Sequence, residues 1–183
     1  MSFVEDNSYF GPSFDSLNDT YGVGKKVSEY ICNLSFSEHF EPVHVRCFAF
    51  TGPYLSLDTS FAVGNFVADV ISGKQIKLSG DGSQLRSYLY AADVVVWMFT
   101  ILGIGEPTQS YNVGGNQTIS IKDLASSIKM LADGIEPKIK EDYESDNKYL
   151  CSTKIIIDSF NVKEQNYLMQ GLQKTIDWNL NKL

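Results

Sequence analysis

The stretch that decides the fold begins at residue 21 and reads Tyr21-Gly22-Val23-Gly24-Lys25-Lys26-Val27-Ser28-Glu29. Tyr21 and Lys25 are four residues apart, so on a helix they lie one turn apart on the same face. A phenol is a poor base at neutral pH, and a nearby ammonium group lowers the cost of ionising it. The pair is therefore a candidate for proton transfer, although a solvated helix face can also carry Tyr and Lys at this spacing.

Three further segments follow the pair along the chain. The first is Val43-His44-Val45-Arg46-Cys47-Phe48-Ala49-Phe50-Thr51-Gly52-Pro53-Tyr54. The second is Gly80-Asp81-Gly82-Ser83-Gln84-Leu85-Arg86-Ser87-Tyr88-Leu89-Tyr90-Ala91-Ala92-Asp93-Val94, and the third is Tyr111-Asn112-Val113-Gly114-Gly115. Together with the Tyr-x-x-x-Lys pair, they resemble the extended short-chain dehydrogenases, specifically the NAD-dependent nucleotide-sugar epimerases and dehydratases. The resemblance covers nearly the whole chain, from residue 19 to Trp178.

The resemblance implies an α/β protein with a partial Rossmann-like fold. We expect residues 1–57 to be a remnant of the NAD-binding domain, and residues 58–183 to form mainly the lobe that binds the sugar nucleotide. Some segments of the second part are expected to return to the Rossmann sheet. Residues 1–18 contain one glycine, Gly11. We therefore expect the glycine-rich loop that holds the pyrophosphate, and the strands around it, to be missing from this chain.

The same resemblance assigns roles at the cofactor end of the site. It implies that NAD takes a hydride from the sugar while Tyr21 takes the hydroxyl proton. Lys25 is expected to hold the phenolate and the nicotinamide ribose, and Phe48 to lie against the cofactor. Ser2 is too close to the start of the chain to be assigned as the family's catalytic Ser or Thr.

Two residues are candidates for binding the sugar nucleotide. Arg86 follows the Gly80–Gly82 turn, and a guanidinium can grip diphosphate oxygens with two parallel hydrogen bonds; the alternative is an ion pair with Asp81 or Asp93. Asn65 resembles a residue that contacts the diphosphate in decarboxylase-like members, and an ordinary Asn near a helix start is the alternative. The family's Asn in Arg-x-Phe-Asn is Ala49 here, which leaves the substrate's identity open.

Composition excludes several classes of partner. The chain has 183 residues, 43% of them hydrophobic, which favours a globular protein. Its formal charge of -7 and the lack of a basic stripe argue against nucleic acid. No apolar stretch has the length of a membrane span, and we expect a cytoplasmic protein. The three cysteines are widely separated and are expected to be buried free thiols, with no metal site; they are Cys32, Cys47 and Cys151.

The pattern of apolar residues predicts alternating helices and strands. Helices are expected at about 20–37, 61–71, 92–102, 120–131, 153–160 and 168–181, and strands at 43–50, 76–78, 87–90 and 110–113. Ser120 and Asp93 are predicted helix caps, and Gly73 is a predicted helix stop. Residues 138–148 are charged and predict a solvated loop. Tyr54, Tyr88 and Tyr90 are expected to be core or rim aromatics, with stacking on a ligand as the alternative.

Two functions stay open at this point. In the first, the chain is part of an epimerase, dehydratase or decarboxylase and needs an N-terminal half, carried by a partner or by a preceding segment. In the second, it is a noncatalytic remnant, or a module that binds nucleotide sugars or dimerises. We expect a homodimer or an assembly with the complementary half, because uncovered strand edges and apolar faces pair with other chains. The sequence identifies neither the sugar nor the base, and it leaves open whether the chain is active alone.

Overall fold

The computed structural model describes residues 20–57, 61–78, 80–133, 138 and 148–181. The helices are α1 (Thr20–Leu34), α2 (Ala62–Ile71), α3 (Ala91–Ile104), α4 (Ile121–Leu131), α5 (Lys154–Phe160) and α6 (Leu168–Leu180). The strands are β1 (His44–Cys47), β2 (Ala49–Thr51), β3 (Leu85–Tyr90), β4 (Ser110–Val113), β5 (Thr118–Ser120) and β6 (Lys148–Tyr149). Residues 1–19, with Ser2 and Gly11, and residues 139–147 of the predicted charged loop lie outside the described residues.

The strands form two small sheets with mainly parallel pairing. β1 runs parallel to β4, with His44 opposite Ser110 and Cys47 opposite Val113. In the second sheet β3 pairs in parallel with β2 and β6, and antiparallel with β5. Parallel strands joined by helices are the arrangement of an α/β protein, as the sequence predicts.

Two hydrophobic clusters hold these elements together. The first lies among α2, α4 and α6, and its most deeply buried members are Val67, Ile76, Leu124, Ala125, Ile128, Leu172 and Ile176. The second lies between α3, α5 and β4, and its most deeply buried members are Leu89, Trp97, Ile101, Val113 and Ile156. The apolar residues of α4 predicted at helical spacing are buried at Ile121, Leu124, Ala125 and Ile128. β3 contributes Tyr88 to the first cluster and Leu89 to the second, so it runs between the two cores.

Two predicted helix boundaries are confirmed by their local geometry. The Ser120 hydroxyl oxygen accepts a hydrogen bond from the Asp123 backbone N–H at 3.0 Å, which is the expected N-cap. Gly73 follows the C-terminal end of α2 with a φ of +66°, a left-handed conformation that glycine adopts without steric cost.

Three other predictions are corrected by the structure. The strand predicted at 43–50 divides at Phe48 into β1 and β2, which pair with different strands. The strand predicted at 76–78 is a single bridge from Lys77 to Lys138. Asp93 is not a cap, because α3 begins two residues earlier, and its carboxylate instead accepts hydrogen bonds from the backbone N–H groups of Gln165 and Asn166 at 3.1 Å and 3.0 Å.

The cysteines are free, but only one is fully buried. Cys151 is buried, Cys32 is partly exposed, and Cys47 is exposed at the end of β1. Within the ranges that the structure describes, no helix combines the length and apolar character needed to cross a membrane.

Candidate functional site

The predicted proton-transfer pair lies in the first two turns of α1. The Lys25 ammonium is 5.5 Å from the centroid of the Tyr21 ring. Tyr21 is 77% exposed, so its phenol is open to a ligand. The structure therefore brings the two groups together on an accessible surface, while their catalytic role stays a prediction.

Polar contacts fix α1 against β1. The Arg46 guanidinium donates two hydrogen bonds of 2.8 Å to the two carboxylate oxygens of Glu29. Next to them, the His44 ring Nε2 is 2.6 Å from the side-chain oxygen of Asn33. Because no residue of α1 is buried, these contacts take on much of the positioning that a hydrophobic face usually provides.

The ion pair also changes the acidity of its carboxyl group. The hydrogen bonds from Arg46 hold the pKa of Glu29 below its ordinary value, and burial opposes them with a smaller effect. The sequence analysis quoted Arg46 within its motif without giving it a role. The sequence signal for this ion pair was a guanidinium on a predicted strand together with a carboxylate on the preceding predicted helix.

The Glu29–Arg46 contact holds α1 beside β1, and ligand sites of parallel α/β sheets usually lie at the carboxyl ends of their strands. Although Cys47 is exposed as a residue, partial burial of its thiol raises the pKa of that group, and the positive charge of Lys25 opposes this rise. Cys47 is the last residue of β1.

Phe48, the predicted cofactor contact, follows directly after Cys47. Its backbone N–H donates a 3.0 Å hydrogen bond to the Val113 carbonyl, and its ring centroid lies 4.9 Å from that of Tyr149. A Cβ placed on Gly114 would lie 3.1 Å from the Phe48 Cβ and collide with the Cys151 sulfur. The glycine therefore lets the backbone just after β4 pass close to Phe48 and Cys151.

Arg86 is the second residue of β3, and it is partly buried. Its Nη1 donates a 2.8 Å hydrogen bond to the Leu85 carbonyl. Burial raises the pKa of Tyr88 to about 12 against the opposing charge of Arg86, so the two side chains are neighbours. The Asp93 carboxylate, one of the two alternative ion-pair partners, binds Gln165 and Asn166 instead.

Tyr149 is a residue of this surface that the sequence analysis missed. It lies opposite Arg86 in the parallel register of β3 and β6. Burial raises the pKa of its phenol, nearby Cys151, Tyr21 and Cys47 add to this rise, and Arg86 opposes it. Tyr149 is therefore a cross-strand neighbour of Arg86. It follows the predicted charged loop directly, so only the non-local pairing with β3 identifies it.

Asn65, the second predicted substrate contact, lies on α2 rather than on these strands. The opposite face of α2 is buried through Val63, Phe66, Val67 and Val70, whereas Asn65 itself is exposed. Its role stays a prediction. Of the three tyrosines predicted as core or rim, Tyr88 is buried, and exposed Tyr54 packs against Trp178 with ring centroids 4.9 Å apart. The Lys174 ammonium lies over the Tyr90 ring.

Comparison with known proteins gives a family match and several relatives that agree with one another. The model of the NAD dependent epimerase/dehydratase family matches residues 5–114. A dTDP-D-glucose 4,6-dehydratase of Mus musculus is 26% identical over 196 residues, which cover 96% of this chain and 54% of that protein. A trifunctional UDP-glucose 4,6-dehydratase, epimerase and reductase of Arabidopsis thaliana is 31% identical over 121 residues, covering 63% of this chain and 18% of that protein.

Solved structures show the same fold. A dTDP-glucose 4,6-dehydratase of Bacillus anthracis, crystallised with NAD, superposes with a TM-score of 0.84 at 21% identity, covering 99% of this chain and 56% of that one. The predicted partial Rossmann-like fold and the resemblance to this family are thereby confirmed. The chain spans about half the length of the mouse relative and of this structure.

Proposed function

Because the chain belongs to the NAD-dependent epimerase/dehydratase family, we propose that it supplies the proton-transfer pair and the sugar-nucleotide wall of a nucleotide-sugar epimerase or dehydratase. The observation that carries the proposal is the Lys25 ammonium beside the exposed Tyr21 phenol. In this proposal the two groups act at the end of β1, and the wall beside them is formed by the partly buried Phe48 ring and Tyr149, whose centroids are 4.9 Å apart.

The residues present fit the nicotinamide end of NAD. An exposed phenol and an ammonium lie together, and they can donate hydrogen bonds to ribose hydroxyls. NAD, when bound, supplies the hydride acceptor for oxidation of the sugar. In the proposed reaction Tyr21 accepts the proton of the sugar hydroxyl, Lys25 stabilises the phenolate and holds the ribose, and Phe48 supports the nicotinamide end.

Arg86 holds the diphosphate of the nucleotide sugar in this proposal. Its guanidinium can form two parallel hydrogen bonds with phosphate oxygens, a geometry that an ammonium lacks. The exposed Asn65 of α2 provides a second contact to the diphosphate. In this proposal the phosphate contacts and the proton acceptor come from different elements of the same chain.

We further propose that turnover requires a complementary N-terminal half, on the same polypeptide or on a partner. Support comes from the lengths of the relatives and from uncovered apolar surface. Among the described strands, β1 pairs only with β4. On α3 the exposed large apolar residues are Val95, Val96, Met98, Phe99, Leu102 and Ile104. A docking half would cover this helix and continue the sheet at β1. The division at residue 57 between a Rossmann part and a substrate lobe belongs to the same proposal.

Titration calorimetry on the 183-residue chain tests the nucleotide site. We expect weak binding of at least one of UDP, CDP, dTDP and GDP, and no tight binding of NAD, because the proposed pyrophosphate cradle belongs to the complementary half. Arg86→Ala should remove most of the nucleotide signal. Arg86→Lys keeps the charge and should retain part of it.

Lys154→Ala is the matched control for loss of a positive charge, because its pair with Asp158 is exposed on α5. Binding by this variant should equal that of the original chain. If none of the four nucleotides binds, the noncatalytic-remnant alternative is favoured. Tight stoichiometric NAD binding by this chain alone would contradict the assignment of the cofactor cradle to another half.

A further inference from the structure

The connection between α5 and α6, residues 161–167, is fastened by side chains of other elements. The Asp93 carboxylate of α3 accepts a 3.1 Å hydrogen bond from the backbone N–H of Gln165. The backbone N–H of Leu168, where α6 begins, donates to the side-chain oxygen of Gln117 at 3.2 Å. The connection is therefore tied both to α3 and to the turn that joins β4 to β5, residues 114–117.

Glu164 binds the same turn directly. Its Oε1 atom accepts a hydrogen bond from the backbone N–H of Asn116 at 2.5 Å. The side-chain oxygen of Asn116 accepts a second hydrogen bond, also of 2.5 Å, from the hydroxyl of Thr153. Thr153 is 3% exposed and directly precedes α5. Asn116 is thus anchored twice, to the connection and to the start of α5.

The anchored turn packs tightly against its neighbours. A Cβ on Gly115 would collide with the backbone carbonyl of Tyr88 on β3, and a Cβ on Gly114 would lie 3.1 Å from the Phe48 Cβ. Close packing of this kind transmits small displacements from one segment to the next. The anchoring of Asn116 therefore supports the position of Phe48, the candidate cofactor contact.

The surroundings of Glu164 disfavour a negative charge on it. The residue is partly buried, and a second carboxylate, that of Asp93, binds the next residue along the chain. Burial raises the pKa of Glu164 above its ordinary value, Asp93 adds to this rise, and the hydrogen bonds with Asn116 oppose it. The turn itself contains no ionisable side chain. The other ionisable groups of α5, α6 and the connection are exposed or bound elsewhere: Lys163 and Tyr167 are exposed, Lys154 pairs with Asp158, Lys174 binds Asn166, and Asp177 binds Gln173.

We propose that Glu164 is a pH-sensitive latch between the α5–α6 connection and the β4–β5 turn. A protonated carboxyl group keeps a carbonyl oxygen that accepts the Asn116 N–H, and it has no charge to bury. The latch is therefore complete below the ordinary glutamate value of 4.5, and it weakens as the pH rises through the raised pKa of the folded state. A weakened latch loosens the turn behind Phe48. The inference rests on contacts within this chain and is independent of the proposed function.

The test follows the Asn116 amide of the 183-residue chain by NMR between about pH 4 and pH 8. The measured quantity is its hydrogen-exchange protection, corrected for the intrinsic effect of pH, which should fall in the original chain as the pH rises. Glu164→Gln keeps an oxygen acceptor without the charge, so protection should stay high throughout. Glu164→Ala removes the acceptor, so protection at acidic pH should fall about two- to tenfold, the size of one hydrogen bond, and should no longer depend on pH.

Two further variants serve as comparisons. Glu106→Gln removes an exposed carboxylate outside these contacts and should behave as the original chain does. Thr153→Val removes the second anchor but leaves Glu164 in place, so it should lower the protection of Asn116 at every pH and keep the pH dependence.

Constant protection of Asn116 in the original chain over this range would contradict the latch. The same holds if protection in Glu164→Gln falls with pH as much as in the original chain, or if Glu164→Ala retains the original protection at acidic pH. Circular dichroism shows whether each variant is folded. If Glu164→Ala does not fold, the comparison of Glu164→Gln with the original chain decides the question.

Discussion

At the scale of single residues, the Arg46–Glu29 pair positions the candidate proton-transfer groups. Both side chains are about a quarter exposed, and their two 2.8 Å hydrogen bonds join β1 to α1. Two parallel hydrogen bonds between charged groups fix orientation as well as distance. Tyr21 and Lys25 lie on the same helix, so their location relative to the end of β1 depends on this pair.

The Arg46–Glu29 pair predicts that the stability of α1 depends on pH. The hydrogen bonds from Arg46 lower the pKa of Glu29 in the folded protein. Its stabilising contribution is therefore complete above the ordinary glutamate value of 4.5, and it is lost as the pH falls through the lowered folded value. At neutral pH, Glu29→Gln should lower the free energy of opening of α1 by about 1 to 2 kcal/mol.

Amide hydrogen exchange of α1 measures this effect. The original chain should lose protection in α1 on acidification, and Glu29→Gln should show faster exchange already at neutral pH and little further change. Glu38→Gln, which removes an exposed carboxylate after α1, is the control. Equal α1 protection in Glu29→Gln and the original chain at neutral pH would show that the pair does not hold the helix.

At the scale of elements, α1 presents an apolar stripe to solvent. Val27, Tyr30, Ile31 and Leu34 recur at helical spacing and are between 47% and 69% exposed. An amphipathic helix that buries none of its residues within one chain is a common contact between protein chains. We propose that two copies of this chain associate through α1.

The association is tested by substitution within the stripe. Ile31→Glu places a charge in the proposed contact and should raise the dimer dissociation constant by about tenfold or more. Met130→Glu makes the same kind of change at an exposed position of α4 and should leave association unchanged. Sedimentation equilibrium measures both. A stable monomer of the original chain over a wide concentration range would contradict the proposal.

Sequence reasoning succeeded for elements whose signals are local. The spacing of Ile121, Leu124 and Ile128 identifies the buried face of α4, and the Ser120 hydroxyl lies three residues from the backbone group that it caps. Features that depend on pairing between distant segments were missed. The separation of β1 from β2 depends on their different partner strands, and the position of Asp93 depends on residues 165 and 166.

The same contrast between local signals and long-range pairing applies to the candidate site. Tyr21 and Lys25 are one helical turn apart, so the sequence itself predicts their contact. Tyr149 reaches the site through the pairing of β6 with β3, across more than sixty residues of chain. No local periodicity contains that information.

At the scale of the whole molecule, the chain spans about half the length of the mouse relative and of the Bacillus anthracis structure. Its described part holds the candidate proton-transfer pair, Phe48 with its neighbour Tyr149, and Arg86. The exposed apolar faces of α1 and α3 are separate surfaces, and we assign the first to a second copy and the second to the complementary half. Under these proposals catalysis is a property of the assembly, so turnover is measured on the assembled protein.

The most direct measurement is turnover of UDP-glucose or dTDP-glucose by the chain assembled with a complementary N-terminal half, followed by liquid chromatography of the nucleotide sugars. Tyr21→Phe removes the proton acceptor and keeps the ring, so turnover should fall by about 10²-fold or more. Tyr30→Phe makes the same change on the same helix and should retain turnover within about twofold. Full activity of Tyr21→Phe in this assembly would contradict the assignment of Tyr21 as the proton acceptor.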